Sequence, residues 1–461
     1  MKNIFVILSL IICYTSSNAQ CWQFITSGDN HCLGIKSNGT LWAWGRNTTG
    51  QLGDGTYSNK NIPTQIGTAN DWVTAAAGNN FSYAIKQNGT MYAWGNNNKG
   101  QLSDNTLIGR NIPLQVGIDS NWYRVACDFD YVIAQKSDNS FWACGYNIFA
   151  QLGQGNQTDP YKLLIPVSIS GTFLTFQTGF RHTVLLKSDH TFWGWGEGEF
   201  GKLASGNNGG YDIPAQPVSN NDWEQITSSF NATLFKKTNG TIWAVGQNTS
   251  GALGFGNYNV DNFTIQQIGT DTDWRSIEAA EYCSMIIKNN GTLWSCGRNN
   301  TGQQGNGNTT QTNLLAQVGT ATNWDKIRCG LFHTIALTNT GTLMAWGDNT
   351  YGQLGNGTFT NSLVPIQIGS ACLLSNTSFT KENVKVYPNP YNESFKIAIP
   401  QFSSENVTVK VYDMLGKNIE VLNVSVLELE KLELGKNYSS GVYTIIVTQA
   451  EETKTIKVIK Q

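Results

Sequence analysis

Histidine is the side chain best suited to acid–base chemistry near neutral pH, and this sequence contains four histidines. Three of them, His31, His182 and His333, hold one position of an internal repeat, nine residues after the aromatic residue that opens each copy. The other copies place Phe81, Tyr131, Ala232 or Cys283 there. A residue tied to the register of a repeat is expected to be structural, and the carboxylates form no run or pair suited to general acid–base work. The sequence therefore predicts no catalytic residue.

A second set of residues could bind a partner. Seven and eight residues after each opening aromatic, the residue type varies within an otherwise regular framework. Large side chains recur at these positions: Phe129, Phe180, Arg181, Phe230, Tyr282 and Phe332. Aromatic residues and arginine dominate binding energy at interfaces, so these six are the candidate binding residues, clustered by symmetry on one face. The alternative is that the rings are buried between the repeats, which would exclude binding.

The elements that position these loops follow from the repeat itself. A Trp-Gly signature closes on glycine seven times, with gaps of 50 or 51 residues, at Gly45, Gly95, Gly145, Gly196, Gly246, Gly297 and Gly347. A fixed period of this length indicates a solenoid, a propeller or an array. Each copy has about four short β-prone runs, separated by turns such as Asn88-Gly89 and ending in an extended run with proline, which suits an edge strand.

Four-stranded sheets repeated radially form a β-propeller, so the sequence predicts an all-β fold with seven blades. An open solenoid is the alternative, but its end repeats should differ as polar caps, whereas the first and last copies are regular here. Successive side chains of a strand alternate between its faces. Trp42 and Trp44 should therefore face one neighbouring blade, and Leu41 and Ala43 the other.

The run Leu-Trp-Ala-Trp-Gly-x-Asn-x-x-Gly-Gln-Leu-Gly-x-Gly at 41–55, nearly repeated at 343–357, resembles the regulator of chromosome condensation repeat. The resemblance covers about residues 21–369 and implies a seven-bladed propeller. Some copies depart from the pattern, as where Lys202-Leu203-Ala204 replaces Gln-Leu-Gly. Family analogy implies nucleotide exchange on a GTPase as one alternative function. Secreted β-lactamase inhibitor proteins of the same fold imply protein binding through the loops of one face.

The N-terminal region indicates export. Residues 1–19 carry Lys2, an apolar run and small residues ending at Ala19, which is typical of a secretory signal peptide. No later stretch approaches the ~20 apolar residues that a membrane-spanning helix needs, so no transmembrane segment is expected. The propeller is then expected at 20–372.

The composition changes after the repeats. A polar linker is predicted at 373–383, and residues 384–461 contain Tyr387-Pro388-Asn389-Pro390, Gly441-Val442-Tyr443 and a basic terminus. These motifs resemble the C-terminal sorting domain of the type IX secretion system. The resemblance implies a small β-sandwich and export through the general secretory pathway and then the type IX machinery. A generic β-sandwich binding module is the alternative.

Cysteine usage fits an exported protein in part. Removing Cys13 with the signal peptide leaves eight of the nine cysteines, and no Cys-x-x-Cys spacing suggests zinc. Cys21 precedes the first repeat and Cys372 follows the last, at nearly the same place in the repeat register. A bridge between them would close the ring covalently. The other cysteines are expected to be buried thiols.

A net charge of −2 with 13% charged residues implies neither nucleic acid nor an anionic membrane as partner. No metal or cofactor is expected. We therefore predict a secreted or surface-displayed, non-catalytic scaffold that binds an extracellular protein or glycan through one propeller face. The alternative is an exported lyase or hydrolase that uses the central channel.

Overall fold

The computed structural model describes residues 21–258, 261–370, 384–398, 406–429, 431–449 and 452–461. The predicted signal peptide, Cys372 and the predicted linker lie outside the described residues. The chain divides into two compact units, Met1–Cys372 and Leu373–Gln461.

The first unit contains seven four-stranded antiparallel sheets, each built from four consecutive strands, here named A to D in chain order. Blade 1 contains β1 (Trp22–Ser27), β2 (His31–Lys36), β3 (Leu41–Gly45) and β4 (Lys60–Gln65). Blade 2 contains β5 (Trp72–Ala77), β6 (Phe81–Lys86), β7 (Met91–Gly95) and β8 (Arg110–Gln115). Blade 3 contains β9 (Trp122–Asp128), β10 (Tyr131–Lys136), β11 (Phe141–Gly145) and β12 (Tyr161–Val167).

The remaining blades repeat this order. Blade 4 contains β13 (Phe173–Thr178), β14 (His182–Lys187), β15 (Phe192–Gly196) and β16 (Tyr211–Ala215), with a 3-10 turn at Glu199–Gly201. Blade 5 contains β17 (Trp223–Ser228), β18 (Ala232–Lys237), β19 (Ile242–Gln247) and β20 (Asp261–Ile268). Blade 6 contains β21 (Trp274–Ala279), β22 (Cys283–Lys288), β23 (Leu293–Gly297) and β24 (Thr312–Gln317). Blade 7 contains β25 (Trp324–Cys329), β26 (His333–Thr338), β27 (Leu343–Gly347) and β28 (Ser362–Gln367).

The glycine that closes each Trp-Gly run has a local cause. Gly45 has a φ of +100°, and a Cβ atom there would lie 2.6 Å from the carbonyl oxygen of Asn30. A side chain at this position would meet the loop between strands A and B, and it would also strain the backbone. This requirement explains why the signature ends on glycine in every blade.

The seven blades form a closed ring, which confirms the propeller and excludes the open solenoid. Blade 1 packs on blade 7 through a shared core in which Ile25 and Trp44 meet Ile335 and Leu343. The indole Nε1 of Trp44 donates a hydrogen bond to the Gln353 carbonyl, 2.9 Å away. Each blade is built from its own stretch of chain, and side-chain packing joins the described strands of blades 1 and 7.

The Trp-Gly strand serves both neighbouring blades, as its alternation predicts. Trp44 is fully buried on the blade 7 side, whereas Leu41 and Ala43 belong to the core shared with Trp72 and Trp94 of blade 2. Strand D is the outermost strand of each sheet, and it carries the predicted edge proline in blades 1, 2, 3, 4 and 7 but not in blades 5 and 6. Strand A is innermost, and its residues line the channel.

The second unit is a small all-β domain with one short helix. Strands β29 (Lys385–Tyr387) and β30 (Lys396–Ala398) pair with each other, while β31 (Asn406–Tyr412), β32 (Asn418–Ser425), β33 (Gly441–Gln449) and β34 (Glu452–Lys460) form a sheet in the order β32-β31-β33-β34. Helix α1 spans Val426–Leu429. A core that includes Phe395, Val409 and Ile445 lies between these elements, which confirms the sandwich-like arrangement.

Candidate functional site: the loop face and the channel mouth

Consecutive strands of a blade run antiparallel. The loop between strands A and B (the A–B loop) and the loop between strands C and D (the C–D loop) therefore lie at the same end of the ring in every blade. We call this end the loop face. The A–B loop follows the innermost strand and therefore borders the channel, while the C–D loop lies further out. The six candidate binding residues belong to A–B loops, so the topology brings them to one face as the repeat register predicts.

Four of the candidate rings form a continuous row across blades 3 to 6, which we call the aromatic arc: Phe129, Phe180, Phe230 and Tyr282. The ring centroids of Phe129 and Phe180 lie 4.5 Å apart in edge-to-face geometry, and Phe180 stacks on Phe230 at 3.7 Å. The Phe230 and Tyr282 centroids are 6.1 Å apart. All four side chains are half-buried, so the rings pack against one another and still present surface to solvent.

The other two candidates flank the aromatic arc. The Arg181 guanidinium lies 4.3 Å from the Phe180 ring centroid and 4.1 Å from that of Phe149. At the other end, the Arg298 guanidinium lies 5.3 Å from the Tyr282 ring and 5.0 Å from the Phe332 ring. The Arg298 guanidinium therefore lies between the Tyr282 ring of the arc and the Phe332 ring, and it connects them in place of direct contact between the rings.

The blade 3 loop has a distinct backbone. Strand β9 continues to Asp128, which pairs with Tyr131 and leaves a two-residue turn. Phe129 adopts a φ of +38°, which is unusual for a residue other than glycine, and its N–H donates a hydrogen bond to the Asp128 carboxylate at 2.5 Å. Asp128 stands where blades 1, 2, 4 and 7 have glycine.

The channel is a cavity of about 480 Å³ lined by strand A of all seven blades. Phe230 belongs both to the aromatic arc and to the channel wall, so the two surfaces are continuous. Asp29, Asp128 and Glu281 line the same cavity at its loop-face end. In the strand region of the wall, Glu278 pairs with Arg328 at 3.3 Å.

Contrary to the sequence-based expectation, three carboxylates approach closely enough to repel one another. Burial and the nearby Asp29 charge raise the pKa of Asp128 to about 8. Burial and Asp29 also raise the pKa of Glu281 to about 7, while burial and Asp130 raise that of Asp29 to about 6. The sequence signal was available: Asp29 and Glu281 share one register position, and Asp128 replaces a glycine. Only ring closure brings blades 1, 3 and 6 together around the channel.

The in-register histidines His31, His182 and His333 are all buried. His31 and His333 are buried between blades, where their Nε2 atoms lie 2.8 Å from Ser82 Oγ and 2.9 Å from Ser27 Oγ of the next blade. Burial lowers the pKa of His31 to about 3 and that of His333 to about 4. Both rings are therefore neutral across the physiological range.

One contact resembles a nucleophile–base pair, since Cys32 Sγ lies 3.1 Å from His333 Nε2. Both side chains are inaccessible to solvent, and burial raises the pKa of the Cys32 thiol to about 12. A buried neutral thiol is inert, so this pair is part of the core. Within the residues that the structure describes, no group of three His, Cys, Asp or Glu side chains is arranged to hold a metal ion.

A family model described as "Regulator of chromosome condensation (RCC1) repeat" matches residues 38–85, 88–134, 290–337 and 340–381. A second model of the same repeat matches residues 22–51, 72–101 and 324–353. "Secretion system C-terminal sorting domain" matches residues 385–461. The chain therefore contains regulator of chromosome condensation repeats and a C-terminal secretion sorting domain. The matched ranges leave out 135–289, where the repeat has drifted although blades 4 and 5 are intact.

Individual relatives of this repeat protein are distant. The ultraviolet-B receptor UVR8 of Arabidopsis thaliana is 26% identical over 192 residues, which is 40% of this chain and 43% of UVR8, so the chain spans less than half of that relative. Human WBSCR16 superposes with a TM-score of 0.65 at 17% identity, covering 72% of this chain and 94% of that one. Prp20p from Saccharomyces cerevisiae superposes with a TM-score of 0.63 at 17% identity, covering 80% and 90%. At these identities the solved structures establish the fold alone.

The sorting domain indicates that this repeat protein is exported by the type IX system, to the cell surface or into the medium. In the part of the chain that the structure describes, no helix is both long and apolar enough to cross a membrane.

Proposed function

We propose that the exported propeller is a non-catalytic binding scaffold that recognises a partner protein through its loop face. The observation that carries this proposal is the aromatic arc. Half-buried rings that already pack on one another lose little conformational freedom when a partner covers them. A contiguous apolar surface that stays partly open to solvent commonly marks an interaction site.

A protein suits this surface better than a glycan. Sugar recognition by stacking needs an open ring face, but Phe180 and Phe230 turn their faces toward each other at 3.7 Å. The exposed parts are therefore largely ring edges. Such a surface complements apolar side chains. The relatives' descriptions agree with a binding role, because they name a receptor and binding of Prp20p to Gsp1p and histones.

A double variant, Phe180→Ala with Phe230→Ala, tests this function. The full protein and the variant would be crosslinked to surface and medium proteins, and each captured protein would then be purified and its affinity measured directly. We expect the variant to bind at least about 30-fold more weakly, as for interface hot spots. Ile118→Ala with Ile213→Ala is the matched control, because these apolar residues are 95% and 58% exposed and lie outside the loop face. Equal affinity of all three proteins would contradict the proposal.

The channel-mouth carboxylates favour a second candidate, an exported lyase or hydrolase that works in the channel. A carboxyl group that keeps its proton near neutral pH, as Asp128 does with a pKa of about 8, can serve as a general acid. The test is turnover of a panel of polysaccharides and peptides by the full protein, measured by mass spectrometry. Loss of turnover in Asp128→Asn would support an enzyme, whereas partner binding without turnover in either protein would exclude it.

A further inference from the structure

Seven equivalent residues, one from each A–B loop, lie seven positions after the opening aromatic of their blade, and they differ in chemistry around the ring. In blade order they are Asp29, Asn79, Phe129, Phe180, Phe230, Glu281 and Leu331. Blades 3 to 5 contribute three consecutive phenylalanines. Blades 6 and 1 contribute the two carboxylates, and Asp128 adds a third to the same cavity. A row of aromatic rings on blades 3 to 5 therefore lies beside the cluster of Asp29, Asp128 and Glu281, which we call the acidic side of the mouth.

The acidic side lacks bound counter-charges of its own. Arg46 lies near enough to Asp29, and Arg298 near enough to Glu281, to favour their charged forms, and Lys202 has the same effect on Asp128. Nevertheless, none of these three carboxylates forms an ion pair with a described residue. The Glu281 Oε2 atom is buried without a hydrogen-bond partner. In the channel wall, Arg328 pairs with Glu278, and the Arg124 guanidinium donates a hydrogen bond to the Leu174 carbonyl.

We propose that the loop face binds a polypeptide segment in which a lysine or arginine is flanked by apolar residues, with the cation in the acidic side of the channel mouth and the apolar residues on the aromatic arc. This inference rests on the proposed binding function and names the chemistry of the partner. Charge complementarity selects the cation, because a positive group would offset the mutual repulsion of Asp29, Asp128 and Glu281.

The dimensions and lining of the mouth suit such a side chain. A cavity of about 480 Å³ is in the range of ligand pockets, and Phe230 offers its wall an aromatic surface. The methylene stem of lysine or arginine can lie along that ring while the charged group reaches the carboxylates. The aromatic arc spans blades 3 to 6, and only its Phe230 ring lines the cavity. A free amine bound in the cavity would therefore leave most of the arc uncovered. An extended segment would cover both surfaces.

Defined peptides test this proposal with the full protein. Capped heptapeptides would carry Lys, Arg, Gln or Glu at the centre and either Leu or Ser as neighbours, and their affinities would be measured by fluorescence anisotropy. We expect the Leu-flanked Lys and Arg peptides to bind at least about tenfold more tightly than the Gln and Glu peptides. The isosteric pair Asp29→Asn with Glu281→Gln should abolish that preference, while Phe180→Ala with Phe230→Ala should weaken all Leu-flanked peptides together.

The pH dependence supplies a second readout. Binding of the Lys peptide should strengthen from pH 5 to pH 8, because Asp29, Glu281 and Asp128 lose protons with pKa values of about 6, 7 and 8. The other titratable or charged groups that face them are Tyr282, Asp130, Arg46, Arg298 and Lys202, and the arginines keep their charge throughout. The Asp29→Asn, Glu281→Gln pair should flatten this dependence.

The outcomes separate this inference from the function on which it rests. Binding that depends on the aromatic arc but is equal for Lys, Gln and Glu peptides would overturn the cation inference and leave the scaffold standing. Absence of binding to every peptide would also overturn it. If a captured partner bound the Phe180→Ala, Phe230→Ala variant as tightly as the unchanged protein, both the cation inference and the proposed binding function would be wrong.

Discussion

The ammonium group of Lys202 lies 2.6 Å from a carboxylate oxygen of Glu197, although the lysine side chain is completely buried. Lys202 occupies the position that holds glutamine in blades 1, 2, 3, 6 and 7. In blade 1, Gln51 Nε2 reaches the Asn80 side chain of the next blade at 3.2 Å, and Lys202 Nζ reaches Asn231 at 3.3 Å in the same way. Glu197 thus supplies the negative charge that a lysine needs at this place.

Glu197→Gln should destabilise the propeller by about 3–5 kcal/mol, because it leaves a buried cation without its carboxylate. Adding Lys202→Gln should recover most of that loss, since glutamine is the residue that the same turn accepts elsewhere. Urea unfolding followed by tryptophan fluorescence would measure both.

The matched control for this pair is Asp325→Asn. Asp325 and Arg275 are 3.9 Å apart and their side chains are 41% and 37% exposed, so breaking this pair should cost less than about 1 kcal/mol. A loss in Glu197→Gln no greater than in the control, or no recovery in the double variant, would show that the buried pair does not stabilise the blade.

Sequence periodicity was sufficient for the fold because each blade repeats one local requirement. The closing glycine, the alternating Trp-Gly strand and the proline of strand D each act within one blade or between neighbours. The register also placed the six candidate binding residues on one face. A departure from the repeat such as Lys202 left the ring intact, because Glu197 of the same blade neutralises its charge.

Two features of the site were beyond sequence reasoning. Whether Phe180 and Phe230 would be buried or exposed depends on the packing of rings from adjacent blades, and no local pattern encodes that packing. The carboxylates Asp29, Asp128 and Glu281 lie about 100 residues or more apart in sequence. Only the closed ring brings them to one cavity, where burial raises their pKa values.

The channel-mouth carboxylates should lower stability at neutral and alkaline pH. Asp128 has a pKa of about 8 in the folded protein, above its ordinary value of 3.8, so the folded state favours the protonated form. The free energy of unfolding that is lost when Asp128 ionises is negligible at pH 4 and below, grows as pH rises, and reaches its full value above about pH 8. Asp128→Asn should therefore stabilise the protein by several kcal/mol at pH 8 and by less than about 1 kcal/mol at pH 4.

Thermal unfolding at several pH values would measure this effect. Asp212→Asn, at an exposed position, serves as the control and should leave the melting temperature within error at every pH. An Asp128→Asn gain of the same size at pH 4 and pH 8 would show that the carboxylate is not held in its protonated form.

The buried histidines should have the opposite pH dependence. Their folded pKa values, about 3 for His31 and about 4 for His333, lie below the ordinary 6.5, so the unfolded chain takes up protons first. Stability is then lost as pH falls below 6.5, by up to about 1.4 kcal/mol per pH unit for each ring. The pair His31→Phe with His333→Phe should flatten this slope between pH 6 and pH 4, since blade 2 already has Phe81 at that position.

The control for the histidine pair is His190→Asn. His190 is half-buried and has a φ of +65°, which asparagine tolerates. The channel-mouth carboxylates contribute equally to all of these proteins, so differences between variants report the histidines. A slope unchanged by the double substitution would mean that the two rings titrate in the folded state as they do in the unfolded chain.

Closure of the ring predicts a disulfide bond between Cys21 and Cys372. The N–H of Trp22 donates a hydrogen bond to the Gly341 carbonyl at 3.2 Å, and a Cβ atom on Gly341 would lie 3.1 Å from Cys21 Cβ, so the start of blade 1 lies against blade 7. Cys372 follows blade 7 by a few residues. A bond closing so long a loop should stabilise the propeller by about 4–5 kcal/mol on chain entropy alone.

Mass spectrometry of the unreduced, denatured protein would detect this bond. The described free thiols should all react with an alkylating reagent without reduction: Cys32, Cys127, Cys144, Cys283, Cys296 and Cys329. Cys21 and Cys372 should appear instead as one linked peptide pair. Reductant should lower the melting temperature of the native protein and leave that of a Cys21→Ser, Cys372→Ser variant unchanged. Alkylation of Cys21 before reduction would mean that packing between blades 7 and 1 closes the ring without a covalent bond.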